Sequence, residues 1–222
     1  QMLIVTSPVP ELNEGLIDRY LVAAELSHIQ PIIILNKIDT LSHEQRILLE
    51  TRIKIYQDIN YQVIYTSAKS QHGTDALLEQ LAGKVSVFVG QSGVGKSSLI
   101  NALLPDANIK EGEVSAATNK GTHTTSVSRL YHIHKSESSL SIEDQNTSLI
   151  DSPGVREFGL WDISKEDVIH GFVELHQYMQ NCHFRDCKHL NEPNCGVLKA
   201  VRENKISEQR FNSYQRIINS ID

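Results

Sequence analysis

Apolar runs of strand length alternate along the chain with longer segments of helical period. Leu3-Ile4-Val5 reads as a strand, and Leu12 to Leu26 then repeats its apolar positions at helical spacing (Leu12, Leu16, Tyr20, Ala23, Ala24). Ile32 to Leu35 follows as a buried-type strand, Ser42 to Tyr56 as a helix with Ser42 and Gln45 placed for a capping box, and Val63 to Tyr65 as a third strand. Leu77 to Leu81 closes another helix, Val85 to Val89 is a fourth strand, and a glycine-rich turn opens the helix Lys96 to Leu104. This alternation predicts an α/β fold, a mostly parallel sheet with helices on both faces. From Pro105 to Thr125 the pattern lapses into polar residues, a length that in a compact domain marks a functional or mobile segment. Thr125 to Ile133 alternates like a strand, Ser136 to Asn146 reads as a polar hairpin tip, and Leu149-Ile150 is a short strand ending at Asp151-Ser152-Pro153-Gly154. Beyond Gly159 only helices are predicted, at Ser164 to Tyr178, Gly196 to Glu203 and Ser207 to Ile221. A boundary near residue 157 divides the chain into a larger unit, 1–157, and a small, mainly helical one, 158–222.

Composition narrows the classes. The 222 residues are 40% hydrophobic, enough for a core, and no apolar run approaches the roughly 18 to 20 residues of a membrane helix. A protein off the membrane and in the cytoplasm is expected, and a monomer. Three cysteines between positions 182 and 195 are too few for a secreted disulfide framework, and their clustering points to a metal. The formal charge of -6 argues against binding nucleic acid through bulk positive charge. Gln1 stands at the threshold of a strand-like run, so further chain is expected upstream.

Gly90-Gln91-Ser92-Gly93-Val94-Gly95-Lys96-Ser97, with Ser98 following, fits G-x-x-x-x-G-K-[ST] in full, between a strand and a helix. Its glycines let backbone N–H groups curl around phosphates, and the helix start adds its positive end. Lys96 would reach the β and γ phosphates and Ser97 would bind Mg²⁺. Asn36-Lys37-Ile38-Asp39 ends the second strand, at the edge where open α/β sheets bind ligands. There the Asp39 carboxylate would accept both N–H groups of guanine's Watson–Crick edge, which adenine cannot offer. Asn36 would tie loops together, the Lys37 stem would cover one base face, and Ser67-Ala68-Lys69 would offer backbone N–H to the guanine O6. Asp151 would hold Mg²⁺ through water and the Gly154 N–H would sense the γ-phosphate.

The order of these motifs is informative, because NKID and SAK precede the phosphate loop instead of following it. The chain resembles the circularly permuted GTPases, and over its whole length the ribosome small-subunit-dependent GTPase A family (YjeQ). The residues that carry this are NKID at 36–39, SAK at 67–69, GQSGVGKSS at 90–98, Gly121-Thr122-His123-Thr124-Thr125, DSPGVREF at 151–158 and the Cys/His cluster. The resemblance implies a permuted P-loop GTPase domain, then a zinc-binding domain, with an N-terminal OB-fold barrel absent from this chain. Where many GTPases place a water-orienting Gln, this chain has Val155. His123 is the candidate for that role, as the resemblance also implies. Thr124, with Thr125 as the alternative, is the switch threonine for Mg²⁺, and Thr122 stands where the family usually has Arg.

Cys182-x4-Cys187-x-His189-x5-Cys195 offers three thiolates and an imidazole, which suit a tetrahedral Zn²⁺ with no open position and therefore a structural role. His183 competes for the fourth place, and the family pattern selects His189. The function implied is a GTP hydrolase, slow alone and stimulated by the small ribosomal subunit, that assists late maturation of that subunit and binds its rRNA, cycling between GTP and GDP. The alternative is a GTP-gated ribosome-binding switch in which hydrolysis only resets binding, and a third is a permuted GTPase serving another partner. Residues 1–82 carry a balance of -4, against -1 for 83–155 and -1 for 156–222, so the acidity sits on the base-binding half.

Overall fold

A computed structural model describes residues 1–104, 129–133, 147–152 and 163–221. Among them six strands form one sheet in the order β3-β2-β1-β4-β6-β5. The strands are β1 (Met2–Thr6), β2 (Pro31–Leu35), β3 (Gln62–Tyr65), β4 (Val85–Val89), β5 (Arg129–His132) and β6 (Ser148–Asp151). Every neighbouring pair is parallel except β5 with β6, where Arg129 stands opposite Asp151. The sheet is thus mostly parallel, with an antiparallel edge strand. The segments 105–128, 134–146 and 153–162, which hold the predicted 105–125 loop, the hairpin tip and the boundary near 157, lie outside the described residues.

Successive strand residues face opposite sides of the sheet, and both sides are covered. Leu3, Val5, Ile32, Ile34, Phe88 and Leu149 pack under α3 (Thr74–Leu81) and α4 (Lys96–Leu103). Ile4, Ile33, Leu35 and Val89 pack on the other side under α1 (Glu14–Leu26) and α2 (His43–Gln57). The capping box at the start of α2 forms, with the Gln45 amide 3.2 Å from the Ser42 hydroxyl and the Ser42 amide 2.9 Å from the Gln45 side chain. Helix α1 begins at Glu14, two residues later than the apolar spacing suggests, because the Asn13 side chain caps it.

The C-terminal region shares a core with α1. Val22 and Ala23 pack with Val168, Ile169, Phe172, Leu175, Phe211 and Tyr214, drawn from α5 (Val173–Met179), α7 (Glu208–Ser220) and the turn before α5; α6 (Gly196–Arg202) adds Val197 and Ala200. The single helix expected over Ser164 to Tyr178 is instead a 3-10 turn at Val168–Gly171 and then α5, broken at Phe172, whose backbone is not helical (φ -107°, ψ 89°). Helix α1 approaches closely at this point. A Cβ on Gly171 would lie 2.7 Å from Val22 of α1, and the break turns the Phe172 ring into the shared core, fully buried.

Candidate nucleotide site and metal centre

Strands β1, β2, β3, β4 and β6 run the same way, so the loops after them gather at one edge of the sheet. The sequence places the base motif after β2, SAK after β3, the phosphate loop after β4 and Asp151 at the end of β6. The structure brings these together and shows the connecting residue. Asn36 is buried, its Nδ2 donates to the Val94 carbonyl at 3.0 Å, and its Oδ1 accepts from the Thr66 hydroxyl and the Ala68 N–H, each at 3.3 Å. One side chain therefore fastens the phosphate loop to the SAK loop. A Cβ on Gly95 would stand 2.5 Å from Asn36 Nδ2, and Gly95 has φ +94°, so both the space and the backbone call for glycine there.

Lys37 adopts a left-handed conformation that turns the chain after β2. Its Nζ donates to the carbonyls of Gly93 at 2.5 Å and Val9 at 2.9 Å, so the stem spans from the base loop to the phosphate loop. Ile38 is buried, and the exposed Asp39 accepts a hydrogen bond of 2.6 Å from Ser67, whose hydroxyl in turn accepts from the Ser70 N–H. The serine of SAK thus orients the carboxylate of NKID. Lys69 is exposed beside them.

At the phosphate loop Lys96 is buried and its ammonium is held by the carbonyls of Gly90 at 2.8 Å and Gln91 at 3.2 Å. Burial lowers its pKa, with Asp151 acting in the opposite sense. Burial raises Asp151, against the pull of Lys96 and then Arg129. A lysine and a carboxylate facing each other across a partly dehydrated loop edge suit a ligand that brings both negative charge and a cation, as a polyphosphate with Mg²⁺ does. Gln91, Ser92, Gly93, Ser97 and Ser98 complete the loop and the first turn of α4. Beside it the Ser152 hydroxyl donates to the Phe88 carbonyl at 2.5 Å. His123, Thr124, Thr125, Gly154 and Val155 lie outside the described residues.

The second cluster lies at the far end of the chain. Cys182, Cys187, His189 and Cys195 place one ligand atom each within 4.8 Å of one another. Cys182 Sγ lies 3.5 Å from His189 Nδ1 and 3.8 Å from Cys195 Sγ, and His189 Nδ1 lies 3.4 Å from Cys195 Sγ. A tetrahedral ion with metal–sulfur bonds near 2.3 Å and metal–nitrogen bonds near 2.0 Å separates its sulfurs by about 3.8 Å and sulfur from nitrogen by about 3.5 Å. The four residues can hold a metal ion. His183 is not among them and instead stacks edge-on with Phe184. Burial pushes the Cys187 thiol up to about 12 and raises Cys195 also, so converting them to thiolates calls for positive charge among them. The Gly196 and Leu198 amides point at Cys182 and Cys195 sulfur (3.3 and 3.4 Å), which ties the cluster to the start of α6.

Sequence reasoning missed Thr66, the anchoring of Lys37 on Val9 and a buried ion cluster formed by Asp18, Glu174 and Arg210. The last did leave a signal, since Asp18 and Glu174 interrupt apolar runs at positions that face the core.

Comparison with known proteins shows what the chain resembles. The chain is 46% identical over 221 residues to the small ribosomal subunit biogenesis GTPase RsgA of Haemophilus influenzae (strain PittGG), covering 100% of this chain and 61% of that protein. It is likewise 46% identical to the protein of that name from Ectopseudomonas mendocina, covering 62% of it. The chain therefore spans about three fifths of these relatives' length. The crystal structure of YjeQ from Thermotoga maritima matches with a TM-score of 0.79 at 31% identity, over 99% of this chain and 70% of that one. YloQ, a circularly permuted GTPase, matches with a TM-score of 0.74 at 30% identity, over 100% of this chain and 67% of that one. The RsgA GTPase family model covers residues 1–161, from the first strand through the phosphate loop and Asp151, and by that match the chain belongs to the RsgA GTPase family.

Proposed function

We propose that this chain binds GTP with Mg²⁺ across the loop-bearing edge of its sheet and hydrolyses it to GDP and phosphate. The single observation that supports this most is Asn36, which locks the base loop, the SAK loop and the phosphate loop into one unit. In this reading Asp39, steadied by Ser67, accepts the two guanine N–H groups, and the Lys37 stem lies along the base. Lys96 exchanges its loop carbonyls for the β and γ phosphate oxygens. Ser97 and Thr124 hold Mg²⁺, Asp151 supports it through water, and the Gly154 N–H meets the γ-phosphate. His123 orients a water that attacks the γ-phosphorus while the bond to the β–γ bridging oxygen breaks, leaving GDP.

The Cys182, Cys187, His189 and Cys195 cluster takes one structural Zn²⁺, which fits its three sulfurs and one nitrogen and leaves no position for water. The relatives' names connect them to biogenesis of the small ribosomal subunit, and we assign this chain the same partner, with its rRNA, in the cytoplasm and as a monomer. Val155 in the place of a water-orienting Gln favours slow turnover, so a GTP-gated switch is the second reading. Turnover of GTP and ATP by the chain, beside Lys96→Ala, tests the first. GTP but not ATP should be hydrolysed, and Lys96→Ala should be inactive. Equal use of both nucleotides, or undiminished activity in the variant, would overturn the assignment. Hydrolysis too slow to stimulate, joined to tight subunit binding in the GTP form alone, would select the switch.

A further inference from the structure

Helix α1 is buried on more than one side, with Ile17, Asp18, Tyr20, Leu21, Val22, Ala23 and Ala24 all inaccessible. Residues two apart on a helix project about 200° apart, so Asp18 and Tyr20 face nearly opposite ways from one turn. Tyr20 faces the sheet and, with Val5, Gly90 and Gln91, lines a small gap under the start of the phosphate loop, so its phenol stands beside the backbone of Gly90, the loop's first residue. Gly90 has φ +143°, and a Cβ there would collide with the Val5 carbonyl of β1, so the loop starts from a tightly specified backbone. Asp18 faces the C-terminal region, where Arg210 of α7 donates to it at 2.5 Å and to Glu174 of α5 at 2.6 and 3.2 Å. The guanidinium lies 4.4 Å from the centre of the Phe172 ring.

The joint is not one continuous packed face. Between the start of α1, the phosphate loop and α7 lies a cavity of about 510 Å³, lined among others by Asn13, Asp18, Gln91, Gln209, Ser213 and Arg216. Beside it α7 reaches α1 through Arg210, through Arg19, which donates to Ser220 at 2.7 Å, and through the apolar core that Phe211 and Tyr214 share with Val22 and Ala23. A buried charge cluster with both partners in place has one good arrangement, so it fixes how α7 sits on α1. Resting on the nucleotide reading above, we propose that Arg210 is a positioning residue for the phosphate loop: it clamps α1 through Asp18, and α1 sets Gly90 through Tyr20. Coupling of this kind is reciprocal, so nucleotide at the loop also sets the order of α7.

The test is GDP binding by the full chain, together with hydrogen exchange in α7. Two lesions are compared: Tyr20→Phe, which removes only the hydroxyl, and Asp18→Asn/Glu174→Gln/Arg210→Met, which removes the cluster without stranding a buried charge. Each should weaken GDP binding about fivefold, and the two together should cost no more than the larger alone, since both break the same path. Ser220→Ala should leave GDP affinity unchanged. In the unaltered chain GDP should protect α7 amides, and Tyr20→Phe should lose that protection at saturating GDP. Unchanged affinity in both lesions, additive losses, or α7 protection that survives Tyr20→Phe would overturn the proposal; the last outcome decides even if the cluster variant fails to fold. Failure of the unaltered chain to bind GDP would overturn the nucleotide reading itself, and this inference with it.

Discussion

Asn36 works at four contacts from one buried amide, two on each loop, and no other residue type of its size supplies donor and acceptor together. Removing it leaves the Val94 carbonyl and the Thr66 hydroxyl without that partner, each costing about 1–3 kcal/mol where buried. Asn36→Ala is therefore expected to weaken guanine nucleotide binding by about tenfold or more, measured by titration with GDP. Asp39→Asn makes a sharper test. An amide presents one acceptor and one donor, which mismatches guanine and matches xanthine, so the variant should lose GTP affinity by roughly a hundredfold and gain xanthosine triphosphate. Unchanged preference among GTP, ATP and xanthosine triphosphate would contradict the role given to Asp39. At this scale the sequence was a good guide wherever a motif has a fixed spacing, as in Gly90–Ser97. It was silent on Thr66 and on Val9, which act through one hydroxyl and one carbonyl and carry no recognisable pattern.

Secondary structure was legible where the apolar period is clean, as in Pro31–Leu35 and in α2, whose capping box forms. It was not legible at Phe172, where no local turn signal marks the break and the neighbouring Gly171 packs against Val22, some 150 residues away. The Arg210 cluster is hidden for the same reason, its partners being separated by 192 and 36 residues. Its energetics give a prediction of their own. Arg210→Met alone leaves Asp18 and Glu174 as unpaired buried carboxylates and should destabilise the fold by about 3–5 kcal/mol. Neutralising all three positions should restore much of that loss, read as recovery of the unfolding midpoint in urea. Removing the metal acts on a different element. Cys195 caps α6 and Cys182 accepts from the Gly196 N–H, so chelation should expose the chain after about residue 178 to protease while β1 to β4 stay resistant. A cleavage pattern indifferent to chelator would refute a structural metal.

Across the whole molecule, permutation leaves the site intact because the motifs among the described residues sit on loops at one sheet edge, and the C-terminal region that follows in sequence packs on α1. Near the cysteine cluster Lys199 and Lys205 both lie within ion-pair reach of Glu203, at 3.9 and 2.7 Å, which offsets their positive charge there. Under the proposed function, recognition of the subunit would rest on shape and on few unpaired cations, which predicts a shallow decline of binding with salt. The most direct test of the account is the steady-state rate of GTP hydrolysis with and without purified small ribosomal subunits. The rate should be slow alone and rise by at least about tenfold with subunits, and Lys96→Ala should show neither. A rate that subunits leave unchanged, in a chain that binds GTP and keeps its metal, would contradict it.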